Sequence, residues 1–342
     1  MRSIIYRLKR LIQGNHFLYR VLFNLATFNV DYCKQLLSTK SYPSRFGGMW
    51  TDRSDFPEKL QLKQQRLGLS QRECSDLQQW RDDGYVIFEN LVSHDLIDQL
   101  VQELEALPQG HPQDLLMTGA KLEGPHPYVP ELITPANSIR IVDYYFFSES
   151  ARRILLDPNI VNFMKLVFEA DPILTQSLSF QYGSGQPIHQ DTAYVITNSP
   201  QKLAAVWIAL EDVQPGAGEL AYYPGSHHWD DFLFSKYFKH FDEERDGKEQ
   251  ERIWLDWLNE EADRRGVKKA TFLPRKGDVL LWHASLAHGG SPITAQGATR
   301  KSLVGHYCPR GVRPLYHYYK PGQRKFYRHD SLQYSSAYYT RD

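Results

Sequence analysis

A histidine and a carboxylate stand two residues apart in the stretch from Gln186 to Tyr194, at His189 and Asp191. The surrounding residues predict a short strand, on which side chains at positions i and i+2 point to the same face. One imidazole nitrogen and one carboxylate oxygen can then reach a common point. A second histidine, for which His288 is the candidate, would complete a face of two histidines and one carboxylate. That ligand set leaves positions open on an octahedral Fe(II) for a cosubstrate and O₂.

The spacing alone is a weak signal, because triplets of histidine, any residue and an acid occur by chance. With 13 histidines and 40 acidic residues in 342, about 1.5 such triplets are expected. Two more are present, His228 with Asp230 and His240 with Asp242. Both lie at the edge of, or inside, a charged segment with helical patterning, where positions i and i+2 point apart around the axis. We therefore interpret these two as decoys.

Arg300 follows the distal histidine at the entrance to a predicted strand, 302–307. A guanidinium there can hold the far carboxylate of a dicarboxylic 2-oxo acid, while the other end of that acid chelates the metal. The alternative interpretation is that Arg300, next to Lys301, is only a surface charge.

The whole chain has the composition of a globular protein. It has 342 residues, of which 42% are hydrophobic, and its 40 basic and 40 acidic residues cancel. The charge balance gives no indication of a nucleic-acid partner, and the length allows one large domain or two small ones. No apolar run is long enough for a transmembrane helix. The chain has three scattered cysteines, Cys33, Cys74 and Cys308. They are too few to predict a disulfide framework or a zinc site, and they favour a reducing, cytoplasmic location.

The N-terminal segment, residues 1–30, differs from the rest of the chain. Its basic residues all precede Asp31, the first acid, and apolar residues are interleaved with them at helical spacing. One interpretation is a basic amphipathic helix that makes weak contact with an anionic membrane surface. The other, which we favour, is a helix whose apolar stripe packs on the protein. Charges within the apolar stretch disfavour a signal peptide.

Helix signals dominate the first half of the chain, and residues 1–70 predict an N-terminal helical extension. A capping box at Ser70 and Glu73 opens a helix that Gly84 ends. A short strand is predicted at 85–88, and Ser93 caps the start of the next helix. A proline-rich irregular loop follows at 108–135, and then a strand-like segment at 139–147. Asp157-Pro158 begins a further helix, with proline at its first position.

Short strand-like runs, separated by glycine and proline turns, make up the second half of the chain. They lie at 174–182, 203–210, 219–223, 279–283 and 302–307. Helices followed by such strands predict a mainly β protein with flanking helices (α+β) and a double-stranded β-helix core of the jelly-roll, cupin-like type. We expect this domain to span 71–315, with a tyrosine-rich tail at 316–342.

A charged segment, 229–270, interrupts the strand series. It combines acidic and basic runs with aromatic residues, and its pattern predicts two helices. Two interpretations stay open. It is either a solvated helical excursion or a cover over the open end of the barrel.

These pieces together resemble the phytanoyl-CoA dioxygenase family of Fe(II)- and 2-oxoglutarate-dependent oxygenases over roughly 84–307. The motifs occur in the family's order and at its spacings: His189-Gln190-Asp191, Val206-Trp207-Ile208-Ala209-Leu210, Gly218-Glu219-Leu220, Tyr223-Pro224-Gly225-Ser226-His227, and His288 followed by Arg300. The resemblance implies that His189, Asp191 and His288 are the iron ligands. It also implies 2-oxoglutarate and O₂ as cosubstrates, Arg300 as the 2-oxoglutarate anchor, and Gln190 and Trp207 as residues that line the cosubstrate pocket.

The chain departs from the family pattern in two respects. Gly290 stands where the family often has a serine two residues after the distal histidine, and Ser291 comes one position later. The segments 1–70 and 229–270 have no counterpart in the family, and such segments choose the substrate. The resemblance therefore implies the chemistry better than the substrate.

The expected function is a 2-oxoglutarate-dependent dioxygenase that hydroxylates a C–H bond of a small organic substrate, such as a lipid-like acid, an acyl thioester or a secondary metabolite. Desaturation or ring closure stays open, as does the oligomeric state. The alternative is a non-catalytic jelly roll that binds a small molecule or a partner. The joint presence of Asp191, His288 and Arg300 argues against it, because a retired site has no reason to keep all three. His227 and His283 are interpreted as structural histidines.

Overall fold

A computed structural model describes residues 42–316 and 324–341 of the chain. The predictions for the N-terminal helix, including its membrane contact through residues 1–30, lie outside these residues, as does part of the tail, 317–323. Within the described ranges, no helix is long and apolar enough to cross a membrane.

The α-helices form where the capping signals predict them. Ser70 Oγ accepts a hydrogen bond from the backbone N–H of Glu73, whose carboxylate accepts from the backbone N–H of Ser70, and Gly84 ends the same helix in a left-handed conformation. The α-helices in these parts of the chain are α1 Phe56–Leu67, α2 Gln71–Asp83, α3 His94–Ala106, α4 Glu149–Leu155, α5 Pro158–Phe168 and α6 Glu243–Arg265. Short 3-10 helices lie at Trp50–Asp52, Pro130–Leu132, Tyr144–Phe146, Asp191–Ala193 and Ser226–His228.

The strands of the described residues form a ten-stranded main sheet and a three-stranded small sheet. The main-sheet strands are β1 Tyr85–Phe88, β2 Leu116–Thr118, β3 His126–Pro127, β4 Arg140–Val142, β5 Pro172–Phe180, β6 Ala204–Ala209, β9 Val279–His283, β11 Ser302–Pro309, β12 Tyr327–His329 and β13 Leu332–Tyr334. The small-sheet strands are β7 Leu220–Tyr222, β8 Ala270–Phe272 and β10 His288–Gly290. The main sheet has the order β1-β9-β6-β11-β5-β4-β2-β3, with β13 beside β5, and the small sheet has the order β10-β7-β8.

The two sheets face each other across a buried apolar layer. Trp207 of β6 and Phe272 of β8 belong to this layer, with ring centroids 5.7 Å apart. Main-sheet residues that alternate with this layer, such as Val206 of β6 and Leu303 of β11, point to the opposite side and join the core beneath helices α2 to α5. A sheet pair with helices on its outer side is the α+β, double-stranded β-helix core that the sequence predicts, and this prediction is confirmed.

Local differences from the sequence predictions have local causes. The strand predicted at 139–147 stops at Val142, because Asp143 adopts a left-handed conformation (φ 47°) and begins a 3-10 helix. The proline-rich loop contains the short strands β2 and β3, and the tail contains the hairpin β12-β13. Each of these strands has only two or three residues, so the sequence shows no alternation of apolar and polar residues long enough to predict them.

The charged insert contains two helical stretches, as the sequence predicts, although the first is short. Within α6 they lie at 243–246 and 248–265, separated by Gly247, whose φ of 73° and ψ of 155° are not helical. Trp254 of α6 packs in a buried cluster with Ile188 and Ala287, next to two of the candidate ligands. Glu251 accepts a hydrogen bond from Tyr194 Oη at 2.7 Å. These contacts favour the interpretation of the insert as a cover over the barrel end rather than as a solvated helical excursion. The domain boundaries at residues 70 and 315 stay predictions.

Asp143 accepts hydrogen bonds from the C-terminal segment and from the core, and its substitution tests how much these bonds stabilise the protein. Its fully buried carboxylate accepts from the backbone N–H of Ser177 at 2.6 Å, Ser336 Oγ at 2.6 Å and the backbone N–H of Ala337 at 2.7 Å. Asp143→Asn replaces one acceptor oxygen by an amide that cannot accept, which leaves a buried donor without a partner. We expect urea denaturation to show a loss of roughly 1–3 kcal/mol in the free energy of unfolding.

Asp330→Asn is the matched control for Asp143→Asn. Asp330 is exposed and its φ of 51° suits asparagine equally well. Its substitution should change the free energy of unfolding by less than about 0.5 kcal/mol. Equal effects of the two substitutions would show that the buried hydrogen bonds of Asp143 do not stabilise the tail.

Candidate active site

The two candidate histidine ligands come together through a single β-bridge. The backbone N–H of His189 donates to the carbonyl of His288 at 2.8 Å, and the N–H of His288 donates back at 2.9 Å. The predicted strand through His189 and Asp191 is therefore wrong in detail, since Asp191 begins a 3-10 turn directly after the bridge. Tyr194 and Val195 both donate their backbone N–H to the Asp191 carbonyl, and this tight turn directs the carboxylate back to the histidines.

Ligand atoms of the three side chains converge at one buried point. Asp191 Oδ1 lies 3.8 Å from His189 Nε2 and 3.7 Å from His288 Nε2. All three residues are buried, and their ligand atoms lie within 4.8 Å of one another. Bonds of about 2.0–2.2 Å from a central ion to nitrogen and oxygen fit such a triangle. In the described ranges, no other group of three histidine, cysteine or acidic residues meets this condition.

Backbone carbonyls set the tautomer of both histidines. His189 Nδ1 lies 2.8 Å from the carbonyl of Pro187, and His288 Nδ1 lies 2.9 Å from that of Leu286. Each Nδ1–H donates there, which leaves the Nε2 lone pair free to bind a metal. Burial and the neighbouring His288 lower the pKa of His189 to about 3, so its ring is neutral at pH 7. Burial raises the pKa of Asp191, but His288 and His306 together hold it below its ordinary value.

Two residues that the sequence analysis did not identify hold the second oxygen of the carboxylate. Trp282 Nε1 donates to Asp191 Oδ2 at 2.8 Å, and His306 Nε2 lies 3.6 Å from the same oxygen. Trp282 is two residues after Leu280 on β9, and His306 is two residues after Val304 on β11. Because side chains alternate along a strand, both point into the space between the sheets, as Leu280 and Val304 do. Oδ1 is therefore left to face the histidines. The alternation was visible in the sequence, but nothing indicated that Asp191 lies above these strands.

Trp282→Phe tests this orienting contact, because it removes the N–H and keeps an aromatic ring. Residues that orient a metal ligand contribute about 10–100-fold to metal affinity. We expect the Fe(II) dissociation constant of Trp282→Phe to rise by that factor in competition with a chelator. Trp80→Phe is the matched control, because Trp80 is also fully buried but its Nε1 has no hydrogen-bond partner among the described residues. Equal metal affinities of the two variants would contradict the orienting role.

Arg300 is a buried cation and not a surface charge. Only 2% of Arg300 is exposed, and its guanidinium carbon lies 5.6 Å from the ring centroids of both Phe180 and Trp207. Nη1 donates to the carbonyl of Gly218 at 2.9 Å, while Nε has no partner among the described residues. Burial lowers the pKa of Arg300 to about 10, although Glu219 raises it. The guanidinium therefore stays charged at pH 7 with much of its hydrogen-bonding capacity unused.

Two further polar groups beside Arg300 lack partners in the described part of the chain. They are Trp207 Nε1 and Ser302 Oγ, both buried. Ser302 pairs with Phe180 and with Ala209 of the inner layer, so it faces the same space as Arg300. Buried donors without partners are costly and mark a place where a polar ligand binds. A carboxylate group has the charge and the acceptor oxygens that such a set of donors can bind.

The side chain of Gln190 differs from this set of donors, because its polar atoms have protein partners. Its Nε2 donates to the carbonyl of Ser285 at 2.7 Å, and Oε1 accepts from Lys239 Nζ at 3.4 Å. Lys239 in turn pairs with Asp231 at 3.1 Å. Both polar ends of Gln190 therefore have protein partners, and its role in cosubstrate binding stays a prediction.

Neither decoy histidine contributes to the candidate metal site, although neither lies in an α-helix as predicted. His228 belongs to a short 3-10 helix, and its Nε2 lies 2.6 Å from the carbonyl of Arg81. His240 precedes α6 and contacts Arg245. His227 also bonds the Arg81 carbonyl, at 3.0 Å, and His283 Nδ1 accepts from the backbone N–H of Ser285. These contacts agree with structural roles for both.

Gly290 has a structural reason to lack a side chain. A Cβ at this position would lie 2.6 Å from Ser184 Oγ and 2.9 Å from the backbone nitrogen of Gly185. The loop before His189 therefore occupies the space of the serine that the family often has here. Ser302, at the start of β11 in the main sheet, has a hydroxyl without a partner among the described residues, on the same side as Arg300.

Comparison with known proteins gives a consistent result. A family model described as phytanoyl-CoA dioxygenase matches residues 80–302. Phytanoyl-CoA dioxygenase domain-containing protein 1 from Danio rerio is 24% identical over 187 residues, which cover 44% of this chain and 64% of that protein. The match thus spans less than two thirds of that relative.

Solved structures share the fold. The alpha ketoglutarate dependent epimerase SnoN from nogalamycin biosynthesis has a TM-score of 0.52 at 17% identity and covers 71% of this chain and 85% of its own. EctD from S. alaskensis has a TM-score of 0.50 at 20% identity, with coverages of 72% and 80%. At these identities the likeness shows the fold alone. The family match, however, spans His189, Asp191, His288 and Arg300, and the chain belongs to the phytanoyl-CoA dioxygenase family.

Proposed function

We propose that this protein is a 2-oxoglutarate-dependent dioxygenase that hydroxylates a C–H bond of a small organic substrate. The observation that carries the proposal is the convergence of His189 Nε2, His288 Nε2 and Asp191 Oδ1 on one buried point. Two imidazoles and one carboxylate form the face that non-haem Fe(II) oxygenases use. In this proposal the three residues hold the iron, and the opposite side stays open for cosubstrates.

The protein's own contribution is binding, orientation and exclusion of water. When bound, Fe(II) with 2-oxoglutarate and O₂ supplies the oxidising chemistry, which belongs to the cofactor. Arg300 holds the far carboxylate of 2-oxoglutarate, with Ser302 Oγ and Trp207 Nε1 as additional donors. Helix α6 covers the loops around the ligands through Trp254 and keeps bulk water away from the site.

Turnover of 2-oxoglutarate tests the proposal. The protein reconstituted with Fe(II) should convert 2-oxoglutarate to succinate, and a panel of lipid-like acids, acyl thioesters and secondary metabolites should include compounds that accelerate it. With isotopically labelled O₂, the product should carry one labelled oxygen. A product that carries no label but has an inverted stereocentre would instead favour an epimerisation, the reaction type that SnoN is described as catalysing. No succinate under any condition would contradict the oxygenase assignment and favour a binding protein.

We also infer a reducing, cytoplasmic location and a small-molecule substrate rather than a macromolecule. Cys74 and Cys308 are buried free thiols, which supports a reducing compartment. Labelling of intact cells with a fluorescent fusion checks the location. Oxidised cysteines in the protein isolated under thiol-blocking conditions would contradict it.

A further inference from the structure

Arg140 is a second cation that faces the inside of the sheet pair. It lies on β4 directly opposite Phe180 of β5, whose ring belongs to the layer between the sheets. Directly opposite residues of an antiparallel pair share one face, so Arg140 projects inward. Its Nε is closed to solvent and has no hydrogen-bond partner in the described residues, while the residue as a whole keeps partial exposure. The guanidinium therefore lines an opening instead of filling a core position.

No carboxylate of the described residues balances the charge of Arg140. Burial lowers the pKa of Arg140, and the groups that oppose this effect are the phenols of Tyr338, Tyr316 and Tyr194. The positive charge of Arg140 also contributes to the low pKa of His189, which places the guanidinium within electrostatic reach of a candidate metal ligand. A buried charge without a counter-ion is costly for the folded protein. An anionic ligand would remove that cost.

The hydroxyls of two phenols that act on the charge of Arg140 lie beside a side chain of the inner face. Tyr316 Oη and Tyr338 Oη lie 2.8 Å apart, and Gln176 Nε2 donates to Tyr338 Oη at 3.3 Å. Gln176 pairs with His306, which contacts Asp191. The Tyr338 hydroxyl is thus within reach of an inner-face side chain, while its ring packs in the core beneath the helices. Hydroxyl donors beside a guanidinium are suited to bind an anion.

2-Oxoglutarate does not account for the charge of Arg140. Its two carboxylates are assigned in the proposed function, one to Arg300 and the other, with the keto oxygen, to the metal. The positive charge of Arg140 is then left for the second substrate. A single guanidinium among phenols matches a single negative charge, whereas the phosphates of an acyl-CoA would need several cations.

We propose that Arg140, with the Tyr316 and Tyr338 hydroxyls, anchors the carboxylate of the organic substrate. The substrate is then a free monocarboxylic acid, bound by its acid group with its carbon chain extending to the metal. This inference rests on the proposed oxygenase function, because it names the substrate class of the same site.

The test measures binding and not turnover. Full-length protein is loaded with Mn(II) and 2-oxoglutarate under nitrogen and titrated by calorimetry with decanoate and with decanamide, which differ in charge and not in chain length. We expect decanoate to bind more tightly than decanamide. Arg140→Gln should weaken decanoate binding by roughly tenfold or more and leave decanamide unchanged, since the lost contact is a charge-assisted one. Arg140→Lys should keep most of the decanoate affinity, and Arg328→Gln, at an exposed position, should keep all of it.

Several outcomes would overturn the inference, and they differ from failure of the proposed function. Equal binding of decanoate and decanamide by the unaltered protein would overturn it, as would an unchanged decanoate affinity in Arg140→Gln. Weaker 2-oxoglutarate binding in Arg140→Gln, by the same factor as in Arg300→Gln, would assign Arg140 to the cosubstrate. Failure of the unaltered protein to bind Mn(II) or 2-oxoglutarate would contradict the oxygenase assignment itself.

Discussion

Alanine at His189, Asp191 or His288 is expected to abolish both iron binding and 2-oxoglutarate turnover. Each residue supplies one of three ligand atoms around a single point, so the loss of any one leaves a two-ligand site. Changes to residues that only orient a ligand cost about 10–100-fold in metal affinity or activity, and loss of a ligand itself should cost more than that. Iron content after anaerobic reconstitution and the rate of succinate release measure the two effects separately.

The decoy histidines provide the controls for the ligand variants. His228→Ala and His240→Ala remove histidines from triplets with the same spacing, but their rings contact Arg81 and Arg245 instead of the site. Both variants should keep one iron per chain and most of the activity. A comparable loss of iron in these variants would contradict the assignment of the three ligands.

Arg300→Gln should raise the dissociation constant of 2-oxoglutarate by roughly tenfold or more, with iron content unchanged. A charge-assisted hydrogen bond to a carboxylate contributes about 1.5–3 kcal/mol, and more where water is excluded, as it is around this buried guanidinium. Glutamine retains part of the side-chain volume, which limits collapse of the pocket against Phe180 and Trp207. Calorimetric titration of the Mn(II)-loaded protein with 2-oxoglutarate measures the change.

Arg310 is the matched control for Arg300. It is the next arginine along the sequence, but it lies exposed directly after β11, and its backbone N–H donates to the carbonyl of Asp171. Arg310→Gln should therefore leave 2-oxoglutarate binding unaltered. If Arg300→Gln is also without effect, the anchor lies elsewhere, and the inward-facing Arg140 becomes the next candidate.

Much of the fold could be predicted from local patterns. The strands Tyr85–Phe88 and Val279–His283 have the bounds that the sequence predicts, and the helix opened by the Ser70 capping box ends at Gly84 as expected. These features depend on interactions within a few residues, which the sequence displays directly. The convergence of His189, Asp191 and His288 could also be predicted, because a short motif and a distant histidine were sufficient to identify it.

The parts of the site that escaped prediction depend on contacts between distant strands. His189 and Asp191 converge through one bridge and a tight turn, which leave no strand pattern in the sequence. In the sequence, Trp282 and His306 have the pattern of ordinary inward-facing strand residues. Their contact with Asp191 is visible only in the folded structure. Arg140 is separated by about fifty residues from the nearest motif residue, and only the pairing of β4 with β5 carries it to the inner face.

The central claim is that one metal ion binds to these three side chains, and its position can be observed. Crystals grown under nitrogen with Fe(II) and 2-oxoglutarate should show one anomalous peak per chain at the iron edge, at bonding distance, about 2.0–2.2 Å, from His189 Nε2, His288 Nε2 and Asp191 Oδ1. The far carboxylate of 2-oxoglutarate should lie against Arg300. A peak beside His227 and His283, or none at all in protein that binds 2-oxoglutarate, would contradict the account.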